Sequence, residues 1–163
     1  MEEYWDIYDK NRVFQNRTIR RGDTFADGEY YVCCEVWIQN SKGEMMVTQR
    51  HPKKKAGGLW EFVGGGVLAG ETTLQASVRE MKEEIGISLT ENELSLLDVY
   101  KQRNYFMDIY LVQKDVNIEN IVLDENETVN AKWVSKEELR IMMENQAVVR
   151  SVAQRFAMLK DKL

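Results

Sequence analysis

Three glutamates within one helical turn are the residues of this chain best suited to chemistry. Glu80, Glu83 and Glu84 are spaced so that, on an α-helix, their carboxylates lie side by side. Mutual repulsion costs about a few tenths of a kcal/mol per pair, and the helix dipole disfavours negative charge near a C-terminus. These costs argue against a merely solvated acidic face. A hard divalent cation turns the repulsion into coordination, so the spacing predicts a Mg²⁺-type site that acts on a substrate phosphate.

Residues next to these glutamates are suited to positioning them. Arg79 lies one turn before Glu83, and Glu71 reaches the same guanidinium if the chain folds over. We favour an orienting role for this pair, because metal ligands need partners that fix their geometry. The alternative is a surface ion pair of little energetic value. The run Gly64–Gly66 lets backbone approach a ligand closely, although a glycine triplet is more often a turn or bulge.

A helix from about Thr72 to Ile85, ending at Gly86, must hold the glutamates. Its core side is a narrow apolar stripe, Leu74, Val78, Met81 and Ile85. The other elements predicted from alternation and turn residues are a hairpin of Tyr4–Tyr8 and Val13–Arg20, a second hairpin of Tyr30–Gln39 and Glu44–Arg50, strands at Leu59–Val63, Leu94–Asn104, Tyr105–Lys114 and Val129–Val134, and helical segments after the capping box at Ser135. Strands mixed with two or three helices indicate an α/β layered domain.

The composition indicates an ordinary globular protein of 163 residues, with 44% hydrophobic and 30% charged residues. We expect one domain over residues 1–163, with an N-terminal hairpin at 1–28, a core at 29–140 and a C-terminal helical segment at 136–163. The sequence lacks an apolar run of bilayer length and a secretory start, which predicts a cytoplasmic protein without a membrane partner. A net charge of -5 argues against a nucleic-acid partner. A homodimer is left open.

Two adjacent cysteines, Cys33 and Cys34, lie in an extended apolar run. Neighbours in a strand point to opposite faces, so we expect one thiol in the core and the other elsewhere. With a single histidine in the chain, His51, they do not make up a zinc set. Packed free thiols are the expected state.

The spacing around the glutamates matches a known family motif. Gly65, five residues, Glu71, seven residues and then Arg79–Ile87 agree with the Nudix box at every defined position, over 23 residues. A looser resemblance extends to Gly58–Glu61 before the box and Ala131–Ser135 after it. The N-terminal part, with Tyr4–Asp9, Arg20–Asp23 and Gly28–Tyr30, resembles the Nudix branch related to isopentenyl-diphosphate isomerases.

This resemblance implies the Nudix α/β/α sandwich around a mixed sheet, and Mg²⁺- or Mn²⁺-dependent hydrolysis of a diphosphate linked to another group, X. Carried over by position, the implied metal ligands are Glu80, Glu83, Glu84 and the Gly65 carbonyl, with Arg79 and Glu71 as the supporting pair. The substrate is then a nucleoside diphosphate-X or a related small phosphorylated metabolite. Water attacks one phosphorus, and the base that accepts its proton comes in this family from the box or from a later loop. The catalytic candidates are therefore Glu80, Glu83 and Glu127. For Glu127, which lies in an acidic run, solvated surface is an equal alternative.

Two alternatives come from other functional classes. An isomerase of the related branch would carry a cysteine just after Trp60 and further histidine ligands, whereas this chain has Glu61 there and only His51. A non-catalytic nucleotide sensor would be expected to lose a box carboxylate, and all are present. Arg50 and Gly64 are the weaker candidates for substrate binding. The identity of X is not encoded in the box.

Overall fold

A seven-stranded mixed sheet, β3 to β9, lies at the centre of the structure, a computed structural model that describes residues 2–163. The strands are β1 Tyr4–Tyr8, β2 Phe14–Arg20, β3 Tyr31–Gln39, β4 Met45–Arg50, β5 Trp60–Glu61, β6 Val63–Gly66, β7 Ser95–Lys101, β8 Tyr105–Gln113 and β9 Thr128–Val134, and the helices are α1 Thr73–Ile85, α2 Lys136–Glu144 and α3 Arg150–Leu159. The main path of the sheet is β5-β4-β3-β8-β7, with β6 also paired to β3 and β9 to β4. The β3–β8 pair is parallel, and the other pairs are antiparallel.

Both faces of this sheet are covered by helices. On one face, Met81 and Ile85 of α1 pack with Val36 from β3. On the other face, Trp37 packs with Phe156 of α3. The expected α/β/α sandwich around a mixed sheet is therefore confirmed.

The prediction for the cysteines was half wrong. Cys34 is fully buried, but Cys33 is buried too, at 9% exposure. Because the central strand β3 is covered on both faces, alternation along it does not separate core from surface. Both thiols are free, as expected.

The N-terminal strands β1 and β2 form a separate two-stranded sheet that is fastened to the main one. Reciprocal backbone bonds of 2.8 Å join Tyr8 and Tyr30, and the Ala69 amide donates to the Tyr4 carbonyl at 2.8 Å. Both terminal nitrogens of Arg12 also donate hydrogen bonds to the buried Asp108 carboxylate, at 2.6 and 2.7 Å. The hairpin is thereby held beside β6.

The segment predicted as one strand, Leu59–Val63, proved to be two, and the glycine triplet belongs to the second of them. Gly64 is paired with Glu35 in the β3–β6 ladder. A Cβ at Gly64 would lie 2.3 Å from the Cys34 carbonyl oxygen, so only glycine lets β6 come this close to β3. Elsewhere in the described residues, none of the helices is long and apolar enough to cross a membrane.

Candidate active site

Helix α1 presents its glutamates to β6 because its apolar stripe is held by the sheet. Thr72 caps the helix in a capping box with Gln75, and Gly86 ends it with a left-handed φ of 73°. Met81 and Ile85 are fully buried, whereas Leu74 and Val78 are partly buried, as the periodicity predicts. The opposite side of the helix is therefore directed away from the core.

The Glu80 carboxylate lies directly against the backbone of Gly65. A Cβ at Gly65 would be 2.2 Å from Glu80 Oε1 and 2.5 Å from its Cδ. A side chain at position 65 would therefore compete with the carboxylate for the same space. Because Gly65 has no side chain, the Glu80 carboxylate can lie against the Gly65 backbone.

Arg79 connects the glutamates to the helix entrance. Its Nε and Nη2 donate to the two oxygens of Glu71 at 2.8 and 2.9 Å. Its Nη1 donates to Glu80 at 2.8 Å and to Glu83 at 3.1 Å, and Nη2 also donates to the Gly66 carbonyl at 3.1 Å. The guanidinium thus holds carboxylates from two segments in one arrangement, and it pulls the pKa of Glu71 below its ordinary value although burial opposes this.

A cavity of about 180 Å³ lies over these residues, and we call it the carboxylate cavity. It is lined by Glu3, Arg21, Gly65, Gly66, Arg79, Glu80, Glu83, Glu84, Asp124 and Glu127. Six carboxylates thus face two guanidiniums. Burial is the main cause that raises the pKa of Glu84 well above its ordinary value, followed by the charges of Glu80 and Glu61. Burial also raises the pKa of Glu80.

This donor set fits a hard divalent cation. Carboxylate and carbonyl oxygens are the ligands that Mg²⁺ and Mn²⁺ prefer, and a cation would remove the repulsion that the Glu80 and Glu84 carboxylates exert on each other. Within residues 2–163, however, no three His, Cys, Asp or Glu side chains are already gathered as a finished metal site. Arg79 holds the carboxylates of Glu80 and Glu83, so binding a cation requires these side chains to turn towards it.

Glu127 lies in the carboxylate cavity together with Asp124, although it is far from α1 in sequence. Its carboxylate is paired with Lys54. Its carbonyl accepts a hydrogen bond of 2.9 Å from the His51 amide, which ties the loop before β9 to the loop after β4. Glu127 is thus held at the wall of the cavity rather than freely solvated, and its side chain is 38% exposed.

A second cavity of about 390 Å³ adjoins the first along Gly65 and Gly66, and we call it the basic cavity. Its wall includes Gly64 and Arg50, the two weaker candidates from the sequence. Nη1 of Arg50 donates to both oxygens of Glu61 at 2.5 and 2.7 Å, and Nε donates to the Lys55 carbonyl at 2.8 Å. Arg50 therefore borders the cavity while already bound to a carboxylate.

Several cavity residues were missed in the sequence because they come from distant parts of the chain. Glu3, Trp5 and Arg21 arrive on the N-terminal hairpin, and Arg155 arrives on α3. No spacing rule links these positions to the motif on α1. A partial signal was available in the alternation of the first strand, which directs Glu3 and Trp5 to the same side.

The chain matches the NUDIX domain family over residues 32–155. An uncharacterized Nudix hydrolase of Listeria monocytogenes is 33% identical over 144 residues, which cover 87% of this chain and 85% of that protein. A crystal structure of a Deinococcus radiodurans protein covers 96% of this chain and 99% of its own, with a TM-score of 0.81 and 21% identity. A bifunctional NMN adenylyltransferase/ADP ribose pyrophosphatase of Francisella tularensis, solved with AMP and a Mn ion, covers 82% of this chain and 42% of its own, with a TM-score of 0.66 and 18% identity. At these identities, the two structures establish a likeness of fold.

Proposed function

Because this chain belongs to the Nudix hydrolase family, we propose that its carboxylate cavity binds a divalent cation and that the chain hydrolyses a diphosphate linkage in a small phosphorylated substrate. The observation that carries the proposal is the concentration of carboxylates around the Gly65 backbone. Six carboxylates line one small cavity, which shares the glycine strand with a basic cavity. This arrangement supports a cation on one side of the glycines and the rest of the substrate on the other.

The proposed ligands are the carboxylates of Glu80, Glu83 and Glu84 and the carbonyl of Gly65. The bound cation would neutralise charge on the phosphate oxygens and lower the pKa of a water molecule. Glu80 and Glu84, which have raised pKa values without a cation, would be ionised in its presence. We propose Mg²⁺ or Mn²⁺ as the cation, since both take oxygen ligands.

Arg79 and Glu71 are proposed as positioning residues. Their two-bond ion pair fixes the guanidinium, which stays next to Glu80 and Glu83 and can orient these carboxylates when they turn towards a cation. The guanidinium also donates to the Gly66 carbonyl, which links the helix to the glycine strand.

Glu127 is proposed as the base that accepts the proton of the attacking water. It lies in the same cavity as the box glutamates, on a separate loop that can approach substrate from another side. Its pairing with Lys54 gives a way to hold it in place. Catalysis by a box glutamate, Glu80 or Glu83, is the alternative.

Substrate contacts are proposed for Arg50 and Gly64 on the wall of the basic cavity. Arg50 ends strand β4 and brings a guanidinium to the cavity wall, where it can attract a phosphate group in exchange for Glu61. We also propose that residues 1–163 act as one domain, since the hairpin, the sheet and α3 all contribute to the two cavities.

The proposal is tested by incubating the protein with Mg²⁺ or Mn²⁺ and a panel of diphosphates that includes nucleoside triphosphates, sugar nucleotides, ADP-ribose, dinucleotide polyphosphates and isopentenyl diphosphate. We expect metal-dependent release of two phosphorylated products. Glu80→Gln should lower kcat at least about a hundredfold, because substitutions of even outer partners cost about 10–100-fold at metal sites. The matched control is Glu137→Gln on the exposed face of α2, which should keep full activity.

Other outcomes would contradict the proposal in distinct ways. Full turnover by Glu80→Gln would mean that the cation binds elsewhere. Binding of nucleotides without turnover of any substrate would favour a sensor, and isomer formation from isopentenyl diphosphate without phosphate release would favour the isomerase. For the base, Glu127→Gln should lower kcat and leave the affinity for Mn²⁺ unchanged, whereas a changed Mn²⁺ affinity would make Glu127 a ligand.

A further inference from the structure

The segment that carries Glu127, residues 114–127 between β8 and β9, is packed against the rest of the protein, and we call it the β8–β9 loop. Near its start, the Val116 carbonyl accepts a hydrogen bond of 3.1 Å from Trp133 Nε1. Its apolar side chains pack against the buried cluster that contains Met81 and Ile85 of α1. These side chains are Val116, Ile118, Ile121 and Leu123. Glu127 therefore lies at the end of an anchored segment rather than on a free arm.

The β8–β9 loop is also tied to the last turn of α1. The amide of Val122 donates to the Ile85 carbonyl at 3.2 Å, and the amide of Asp124 donates to the Glu84 carbonyl at 3.0 Å. Carbonyl groups in the last turn of a helix lack partners within the helix, so the loop provides the missing donors. A Cβ at Gly86 would lie 3.0 Å from Val122 Cβ, so the glycine that ends the helix also makes room for the loop. The place of the loop is thus fixed relative to the helix that carries the site glutamates.

Asp124 turns the chain from this helix towards the carboxylate cavity. Its side-chain Oδ1 accepts hydrogen bonds from the Asn126 amide at 2.9 Å and from Asn126 Nδ2 at 3.1 Å. An aspartate that accepts from the amide two residues further on closes a turn. The Asp124 carbonyl accepts from the amides of Glu127 at 2.9 Å and Thr128 at 2.8 Å. One residue therefore joins the Glu84 carbonyl to the Glu127 amide.

Glu127 is held from its other side by the loop after β4. Its carboxylate pairs with Lys54, and its carbonyl accepts from the His51 amide. These contacts come from a segment that is separate from α1, so they do not by themselves set the distance between Glu127 and the α1 glutamates. The connection to α1 runs through Asp124.

Asp124 lines the carboxylate cavity as well, so its side chain can be compared with two roles. A metal ligand would need the negative charge of the carboxylate. The acceptor that closes the turn needs only an oxygen atom, because both donors on Asn126 are uncharged. The hydrogen bonds of Oδ1 are those of the second role.

We propose that Asp124 is a positioning residue, which holds the Glu127 carboxylate at a set place opposite the glutamates of α1. This inference rests on the proposed function in one respect, since it takes Glu127 as the base. A base must lie within hydrogen-bond reach of the proton it accepts, and a displacement of about 1 Å can lower the rate about a hundredfold. Loss of the turn should therefore lower kcat through Glu127 and not through the cation.

The test compares Asp124→Asn with Asp124→Ala in steady-state hydrolysis at saturating Mn²⁺, with the diphosphate of the panel that the wild type hydrolyses fastest. Asp124→Asn keeps an acceptor oxygen and should keep kcat within about threefold of the wild type. Asp124→Ala removes the acceptor and should lower kcat about 10–100-fold, with the affinity for Mn²⁺ unchanged. A comparable loss of kcat in Asp124→Asn, or weaker Mn²⁺ binding in either variant, would overturn the inference in favour of a ligand role.

Dependence on Glu127 separates positioning from a general loss of stability. In the Glu127→Gln background no base is left to misplace, so adding Asp124→Ala should lower kcat less than about twofold. Residues that act as one unit are non-additive in this way. An equal loss of kcat in both backgrounds would overturn the inference.

The matched control is Asp115→Ala, at the other end of the same loop. Oδ1 of Asp115 also accepts two hydrogen bonds, from the amide and the hydroxyl of Ser41 at 2.9 Å each, but Asp115 borders a separate cavity beside Trp133. This variant should keep the kcat of the wild type. A loss like that of Asp124→Ala would mean that any loosening of the loop is sufficient, which would overturn the specific role of Asp124.

Amide hydrogen exchange tests the same geometry without turnover. The amides of Glu127 and Thr128 both donate to the Asp124 carbonyl, so their exchange should be at least about tenfold faster in Asp124→Ala and unchanged in Asp124→Asn. Unchanged exchange in Asp124→Ala would overturn the inference. Absence of hydrolysis across the diphosphate panel would instead overturn the proposed function, because exchange does not depend on turnover.

Discussion

Replacing Arg79 with lysine should separate two contributions to stability and turnover, that of the two-bond geometry of the guanidinium and that of its positive charge. Arg79 donates two bonds to Glu71, one to Glu80, one to Glu83 and one to the Gly66 carbonyl. Lysine keeps the charge but has a single nitrogen, so it can reach one carboxylate at a time. Among the carboxylate partners, the variant should lose one of the two bonds to Glu71 and the bond to Glu80, and it also loses the bond to the Gly66 carbonyl. Loss of the bond to Glu83 should change stability little, because the Glu83 side chain is 59% exposed.

The size of this loss follows from the burial of the partners. Hydrogen bonds to charged groups contribute about 1.5–3 kcal/mol each, and two bonds to shielded carboxylates, those of Glu71 and Glu80, are lost. The Arg79 side chain is 21% exposed, so water replaces part of what is removed. We expect the free energy of unfolding to fall by about 2–3 kcal/mol, which lowers Tm by about 5–10 °C for a chain of this size. Because we propose Glu80 and Glu83 as metal ligands, turnover should fall about 10–100-fold, the usual cost of releasing a ligand from the partner that orients it.

The matched control is Arg140→Lys on α2. Arg140 also pairs with two glutamates, Glu137 and Glu144, but its side chain is 52% exposed. Exposed helix pairs contribute about 0.3–0.5 kcal/mol, so this variant should keep its Tm within about 2 °C and its activity unchanged. Thermal unfolding and steady-state turnover of both variants provide the comparison. Equal losses in the two would refute the reasoning that the buried two-bond geometry is what matters.

Two further predictions concern the site and the glycine strand. Glu84→Gln should raise the Tm of the metal-free protein strongly at pH 8 and only slightly at pH 5. Burial raises the pKa of Glu84 above its ordinary value of 4.5. The free energy of unfolding of the wild type therefore falls as rising pH ionises this buried carboxyl. Thermal unfolding in EDTA at both pH values measures this Tm difference. Added Mg²⁺ should then stabilise the wild type but not the variant. A Tm difference that does not depend on pH would contradict the role assigned to the Glu84 charge. Gly64→Ala should lower the free energy of unfolding by about 1–3 kcal/mol or more, since its Cβ would lie 2.3 Å from the Cys34 carbonyl oxygen. A urea midpoint like that of the wild type would show that β6 can move away from β3 without cost.

Local sequence patterns predicted the bounds of an element well where those bounds depend on residues within that element and its caps. Helix α1 begins and ends within a residue of the expected Thr72 and Ile85, because its cap, its terminal glycine and its apolar stripe are all short-range signals. The same holds for the Ser135 capping box that starts α2. The order of strands across the sheet, with β3 between β4 and β8, was not predicted, because strand pairing joins residues far apart in sequence.

The errors share one physical cause. One of the two thiols was expected away from the core, and the glycine triplet was described as more often a turn or bulge. Instead, both thiols are buried, and Gly64–Gly66 pair with β3. Alternation and glycine content describe a strand by itself. They do not show whether a helix covers its second face or another strand lies against it.

The sequence by itself determined the proximity of Glu80, Glu83 and Glu84, because residues three and four positions apart on a helix must be neighbours. It also determined the family, through spacings that involve a single segment of the chain. Only the tertiary structure decided what faces those carboxylates: the Gly65 backbone and, from the N-terminal hairpin, Glu3 and Arg21. It also decided that the basic cavity, which Trp5 and Arg155 line, adjoins them along the glycine strand. The basic cavity is lined by residues as far apart in sequence as 5 and 155, and packing of hairpin, sheet and helix brings them to one place, whereas local periodicity does not.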